Sequence, residues 1–217
     1  GLYHAYKLDG KTQSLVATIG DSTFIHSGIT GLANAVHTGA RFVLVILDNN
    51  TTAMTGFQPT SDQTRLADGT EGARVAIPEL VRACGVKFLR ESDPYYQEDF
   101  QNVLKEAEQF TLSDEGGIAV VIAKRPCVLY DRSPIDAHPI KVQVTDECDG
   151  CKYCLVAFEC PALVMNAATN KVEIDRRICV DCGQCIDACY KGFIVESNPV
   201  TIFELAEKVG LNQRFIP

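Results

Sequence analysis

No apolar run in these 217 residues is long enough to cross a bilayer. The longest uninterrupted ones cover 42–47 and 118–123, far short of the roughly eighteen residues a membrane-spanning helix needs. Basic charge is also in short supply. Lys and Arg number 20 against 28 Asp and Glu, for a net charge of −8 with no long basic run, which excludes the electrostatic footprint of sequence-independent nucleic-acid binding. A cationic start followed by an apolar stretch and a small-residue cleavage site is missing, so no secretory leader is expected. The compositional extremes of disordered or collagen-like chains are missing too. At 46% hydrophobic and 22% charged residues, the composition is that of a folded, soluble protein. The length fits one sizeable domain with a smaller appendage.

What is present begins as an alternation of strand and helix patterns. An apolar run at 15–19 ends at a Gly20-Asp21-Ser22 turn, and residues 28–36 place Ile29, Leu32 and Val36 at helical spacing. The run at 42–47 has the continuous apolar character of a strand buried on both faces and ends at Asp48-Asn49-Asn50. Further on, 77–84 predicts a helix with Pro78 in its first turn, 86–89 a short strand, 96–110 a helix and 118–123 another buried strand. Strands alternating with helices predict an α/β sandwich around a parallel sheet. After Arg125-Pro126 the segment to Ile140, holding Pro126, Pro134 and Pro139, loses all periodicity and reads as a linker. Domains are therefore expected at 1–139 and 140–197, with a tail over 198–217 that carries one amphipathic turn pair at 202–209.

The smaller domain holds eight of the ten cysteines. Cys148, Cys151 and Cys154 are spaced by twos and followed by Cys160-Pro161; Cys179, Cys182 and Cys185 repeat the triplet and are followed by Cys189. A cubane cluster needs four thiolates converging on one point, and a tight loop of three with one distant fourth wraps it from several sides. This is the ligation pattern of bacterial two-cluster ferredoxins, in which the fourth cysteine of each run serves the other cluster. One [4Fe-4S] cluster is thus expected on Cys148, Cys151, Cys154 and Cys189, and the other on Cys179, Cys182, Cys185 and Cys160. Zinc would favour two separated pairs, and structural disulfides need no triplet spaced by twos. Two departures stand out: five residues precede Cys160, and Tyr190 follows Cys189 where proline is usual. Thiolate ligation on this scale predicts a reducing cytoplasm.

In the larger domain, the Gly20-Asp21-Ser22 and Asp48-Asn49-Asn50-Thr51 loops stand at the ends of two successive parallel strands, the edge at which open α/β sheets bind ligands. Asp and Asn side chains with a loop carbonyl are hard oxygen donors suited to Mg²⁺, which shares its octahedron with phosphate oxygens. Tight turns alone would use the same residues.

The stretches IGDSTFIHSGITGL (19–32) and ILDNNTTAMTGFQPT (46–60), continuing through the cysteine runs to about residue 195, resemble the alpha subunit of indolepyruvate ferredoxin oxidoreductase. The resemblance implies a parallel-sheet domain that binds thiamine diphosphate, followed by a small α+β ferredoxin domain with two [4Fe-4S] clusters. It implies that Asp21, Asn49 and the main-chain carbonyl of Thr51 hold Mg²⁺, with Gly20, Ser22, Thr55 and Gly56 lining the phosphate loops. Ser22 replaces the second glycine of the general thiamine motif. In that family the domain begins upstream with a Cys-Pro-Gly-Cys-Pro-like segment, and the pyrimidine-binding domain with its activating glutamate lies elsewhere, so the chain is expected to be a portion of a longer one.

The activity so implied is oxidative decarboxylation of a 2-oxo acid, an aryl pyruvate such as indolepyruvate, to acyl-CoA. Electrons pass through both clusters to ferredoxin, with a second oxidoreductase subunit and coenzyme A as partners, as in anaerobic metabolism. Alternatives are a pyruvate or 2-oxoglutarate enzyme of the same superfamily, which keep the Gly-Asp-Gly form, and a non-catalytic electron-transfer fragment. No catalytic acid, base or nucleophile can be named from the residues. Cys84 and Cys127 read as buried small hydrophobes, His26 and His37 as packing or surface residues near the cofactor loop, and Met54 as a filler that could reach the cofactor. Lys171, Arg176 and Arg177 form a basic group that would suit an acidic ferredoxin.

Overall fold

The computed structural model describes residues 1–197, and its contacts divide the chain into two units, Gly1–Arg132 and Ser133–Pro217. The sequence pattern placed the division at 139/140, at the downstream end of the linker. The expected tail at 198–217, with its turn pair at 202–209, lies outside the described residues.

The first unit opens with α1 (Leu2–Leu8) and β1 (Val16–Gly20). The chain then turns directly into a helix that begins as α2 (Asp21–Thr23), widens to a π-turn over Phe24–Gly28 and continues as α3 (Ile29–His37). The expected Gly20-Asp21-Ser22 turn is therefore the start of this helix, and the helix begins well before the predicted residue 28. Asp21 explains the difference, because its Oδ1 accepts the N–H of Ser22 at 2.6 Å and so serves the open donors of a first helical turn. Gly28 lets the helix lie close on β1: a Cβ there would meet Ile19 Cδ1 at 2.8 Å and the Phe24 ring at 2.9 Å.

β2 (Phe42–Asp48), a 3₁₀ turn (Ala53–Thr55), α4 (Ile77–Ala83), β3 (Phe88–Ser92), α5 (Gln97–Leu112) and β4 (Ile118–Lys124) follow. The sheet is all parallel in the order β1-β2-β4-β3. Alternation sends Leu44, Ile46, Val120 and Ile122 to one face, where Phe24, Leu32, Ile77 and Val81 cover them. Val43, Val45, Ala119 and Val121 go to the other, beneath Ala107, Val103 and Phe110 of α5. Both faces are covered, so the central strands read as unbroken apolar runs. β3 overlaps the predicted 86–89 only at 88–89 and runs on to Ser92. Among the described residues it pairs only with β4, and as an edge strand it tolerates the polar Arg90, Glu91 and Ser92, while Val86 joins the core instead.

The second unit contains α6 (Ser133–Asp136), β5 (Val142–Val144), a π-turn (Cys154–Phe158), β6 (Leu163–Asn166), β7 (Lys171–Ile174), α7 (Cys185–Ala188) and β8 (Ile194–Glu196). Its duplicated halves exchange strands: β5 pairs antiparallel with β8, and β6 with β7. Val142, Leu163, Val172 and Ile194 form its core together with Cys154 and Cys185.

Candidate functional site

β1 and β2 are neighbours in register, with Gly20 opposite Leu47, so their C-terminal ends deliver the Asp21 and Asp48-Asn49 segments side by side. Asp21 is buried, and its Oδ2 accepts the backbone N–H of Asn49 at 3.1 Å. Asn49 Oδ1 accepts the Thr51 N–H at 3.2 Å, and the buried Thr51 hydroxyl donates to the Gln58 carbonyl. Ser22 and Thr52 join the two loops through their hydroxyls, 3.2 Å apart. Of the residues expected to line this site, Gly20, Asp21, Ser22, Asn49 and Thr51 are thus brought together. Thr55 and Gly56 sit on an exposed stretch of the loop, where the Thr55 hydroxyl donates to Gln58 Oε1 at 2.7 Å and Gly56 has φ 124°. Met54 is 99% exposed, the opposite of core filler. His26 and His37 are also exposed.

Two further residues belong to this group: Asp48, which the sequence reading placed in the loop without a role, and Asp62, which it did not name. Asp48 and Asp62 are buried, and each offers a carboxylate oxygen within 4.8 Å of the others and of Asp21. Asp48 is paired with Lys124 at 3.1 Å. Thr60 donates its hydroxyl to Asp62 Oδ1, whereas Asp62 Oδ2 has no hydrogen-bond partner among the described residues. Crowding shows in Asp21, whose carboxyl is pushed from 3.8 up to about 6, first by burial and then by the charges of Asp48 and Asp62, against the lowering effect of the Ser22 and Asn49 N–H groups. Three buried carboxyl groups, one of them paired with Lys124, make an oxygen-rich donor set that suits a divalent cation with oxygen preference. Asp62 lies in a Thr60-Ser61-Asp62 loop with no motif around it, so no sequence signal pointed to it.

In the second unit the eight cysteines fall into two fours, none of them in a disulfide. Burial pushes the Cys154 thiol up, and the cysteines that raise it further are Cys189, Cys151 and Cys148. Burial pushes Cys185 up to about 12, and there the contributing cysteines are Cys182, Cys160 and Cys179. Each triplet thus meets the fourth cysteine of the other run. The two loops also share a backbone pattern: Gly150 and Lys152 in the first, and Asp181 and Gly183 in the second, all take positive φ at matching positions. The N–H of Phe193 points at Cys189 Sγ, 3.2 Å away, a type of contact that tunes thiolate-held clusters.

The basic residues do not form an open patch. Lys171 bonds the Asp146 carbonyl at 2.7 Å, Arg176 pairs with Asp181 at 3.2 Å, and Arg177 with Asp175 at 2.6 Å. Cys84 packs against the first core, and the Cys127 N–H donates to the Asn49 carbonyl at 3.0 Å.

Fold and donor sets together define a two-module architecture: a parallel-sheet domain with an oxygen-rich ligand edge, followed by a ferredoxin-type α+β module. The chain belongs to the thiamine pyrophosphate enzyme family, matching its C-terminal TPP binding domain over residues 3–123. It is 43% identical over 177 residues to the indolepyruvate oxidoreductase subunit IorA of Archaeoglobus fulgidus, covering 81% of this chain and 27% of that protein. The IorA of Thermococcus kodakarensis is 36% identical over 188 residues, with 85% and 28% covered. The chain thus spans roughly a quarter of the length of the curated relatives it matches. Among solved structures, the 2-oxoglutarate:ferredoxin oxidoreductase of Magnetococcus marinus has a TM-score of 0.50 at 9% identity, covering 98% of this chain and 68% of that one, a likeness of fold.

Proposed function

We propose that this chain carries the thiamine diphosphate and iron-sulfur portion of a 2-oxoacid:ferredoxin oxidoreductase of the indolepyruvate type. The observation that carries this reading is the joining, in one chain of the thiamine pyrophosphate family, of an oxygen-rich strand-end site with two converging cysteine quartets. Asp21, Asn49 and the Thr51 carbonyl would hold Mg²⁺ against the diphosphate, with Gly20, Ser22, Thr55 and Gly56 along the phosphate loops. Cys148, Cys151, Cys154 and Cys189 would hold one [4Fe-4S] cluster, and Cys179, Cys182, Cys185 and Cys160 the other.

Thiamine diphosphate supplies the carbon nucleophile and electron sink for loss of CO₂ from a 2-oxo acid, and the clusters supply one-electron transfer. The protein's part is to anchor and orient. The Asn49 and Ser22 N–H groups fix the Asp21 carboxylate, and the Ser22–Thr52 contact holds the two phosphate loops at one spacing. In the full reaction an aryl pyruvate loses CO₂ and two electrons, its acyl group passes to coenzyme A, and two ferredoxins each take one electron. The name "subunit" borne by the relatives supports a partner subunit in a larger assembly, and thiolate ligation supports a reducing cytoplasmic setting. Among the described residues no helix is long and apolar enough to cross a membrane.

Anaerobic purification followed by iron, sulfide and thiamine analysis tests this. About eight irons and eight sulfides per chain, as two four-iron clusters require, are expected, with thiamine bound in the presence of Mg²⁺. Reduction of ferredoxin by the assembled enzyme with indolepyruvate and coenzyme A should follow. Iron without thiamine under any Mg²⁺ concentration would reduce the reading to an electron carrier.

A further inference from the structure

The Asp62 carboxylate stands out among the described residues. It is 1% exposed, it stands on the long loop between β2 and α4 and outside both strand-end segments, and its Oδ2 meets no donor among the described residues. A buried carboxylate oxygen left unpaired is costly, and here it is placed beside two further carboxylates, where repulsion adds to the cost. Thr60 satisfies only Oδ1. Arg74 is close in the chain path, but its Nε donates to the Asp62 backbone carbonyl at 2.7 Å, so Oδ2 meets no hydrogen-bond donor among the described residues. Lys124 is engaged with Asp48.

We propose that Asp62 is a further ligand of the divalent cation held at Asp21, donating Oδ2 directly or through one bound water, and that it ties the 49–76 loop to the cation. This rests on the reading of Asp21 as a cation ligand. A third carboxylate raises the site's negative charge enough for the protein to bind a divalent cation before the diphosphate arrives. A site of one Asp, one Asn and a carbonyl would instead depend on diphosphate oxygens to complete its charge and coordination. Cation binding would thereby order the loop that carries Thr51, Thr55 and Gly56, and the cofactor would meet a preformed edge.

The test is titration of the full chain with Mn²⁺, following free Mn²⁺ by electron paramagnetic resonance, with and without thiamine diphosphate. The variants are Asp62→Asn, Asp62→Ser, Asp21→Asn and, as a control for long-range charge, Asp68→Asn on an exposed turn of the same loop. Wild type is expected to bind one Mn²⁺ without thiamine diphosphate. Both Asp62 variants should weaken that affinity about tenfold or more, given the size of unit-charge interactions at such distances, and Asp68→Asn should not. In chelator, Asp62→Asn should melt higher than wild type, because an unpaired buried charge has been removed. Unchanged Mn²⁺ affinity in the Asp62 variants, while Asp21→Asn abolishes binding, overturns the role of Asp62 and leaves the cation site standing. An equal loss in Asp68→Asn overturns it as well. Failure of wild type to bind Mn²⁺ even with thiamine diphosphate removes the cation site and this inference together.

Discussion

Asp21 is where single-residue chemistry is most exposed to test. Its carboxyl is raised from 3.8 to about 6, chiefly by burial, so the folded chain holds its proton more tightly than the unfolded chain does. The stability this confers is complete below about pH 4 and is lost as pH rises through about 6. A shift of that size corresponds to about 3 kcal/mol, or on the order of 1–2 kcal/mol after allowing for residual solvent screening. Cation-free wild type should therefore lose melting temperature relative to Asp21→Asn as pH goes from about 4 to about 7. Saturating Mg²⁺ should abolish that difference in wild type, since the cation takes over the role of the proton. A gap that stays flat with pH would mean that Asp21 is not held in this environment. The sequence exposed Asp21 and Asn49 because their positions after apolar strands are a local pattern. Asp62 carries no such pattern; only the return of the 49–76 loop over the strand ends brings it to Asp21.

Among the elements, the cysteine loops depend on their left-handed residues. Gly150 has φ 68°, and a Cβ there would lie 2.0 Å from the Asn170 carbonyl oxygen, a backbone atom that cannot swing away. Gly192 has a similar φ of 71° but open space around it. Gly150→Ala should therefore displace the Cys148–Cys151–Cys154 loop and lower iron from about eight to about four per chain, given four irons per cluster. Gly192→Ala should keep its iron and cost only about 1 kcal/mol of backbone strain. Both outcomes are read from iron content and absorbance of anaerobically prepared protein. The central strands and helices of the first unit were legible from their apolar periods; α1 and the early start of the helix after β1 were not, and β3 runs three residues past its expected end. An edge strand has only one hydrogen-bonded neighbour and little burial, so Arg90, Glu91 and Ser92 leave no apolar trace to read.

Across the whole molecule, the exchange between duplicated halves yields a test of cysteine pairing. Cys154 shares its surroundings with Cys189, and Cys185 with Cys160. A Cys154→Ser, Cys189→Ser double variant should lose one cluster, about four irons, as either single variant does. A Cys154→Ser, Cys160→Ser double variant should lose both. If the second pair kept half its iron and the first lost all, each run would be serving its own cluster, and the pairing would be wrong.

Much of this was set by the sequence alone. Triplets of cysteine spaced by twos, unbroken apolar runs and polar residues at strand ends are short-range patterns, and short-range patterns suffice to specify buried parallel strands and tight ligand loops. Tertiary structure decided what depends on long-range return of the chain: the pairing of β5 with β8 and β6 with β7 that brings each fourth cysteine to the opposite triplet, and the convergence of three carboxylates from separate segments. Those approaches follow from burying both faces of the sheet and the small module's shared core, which no local spacing encodes.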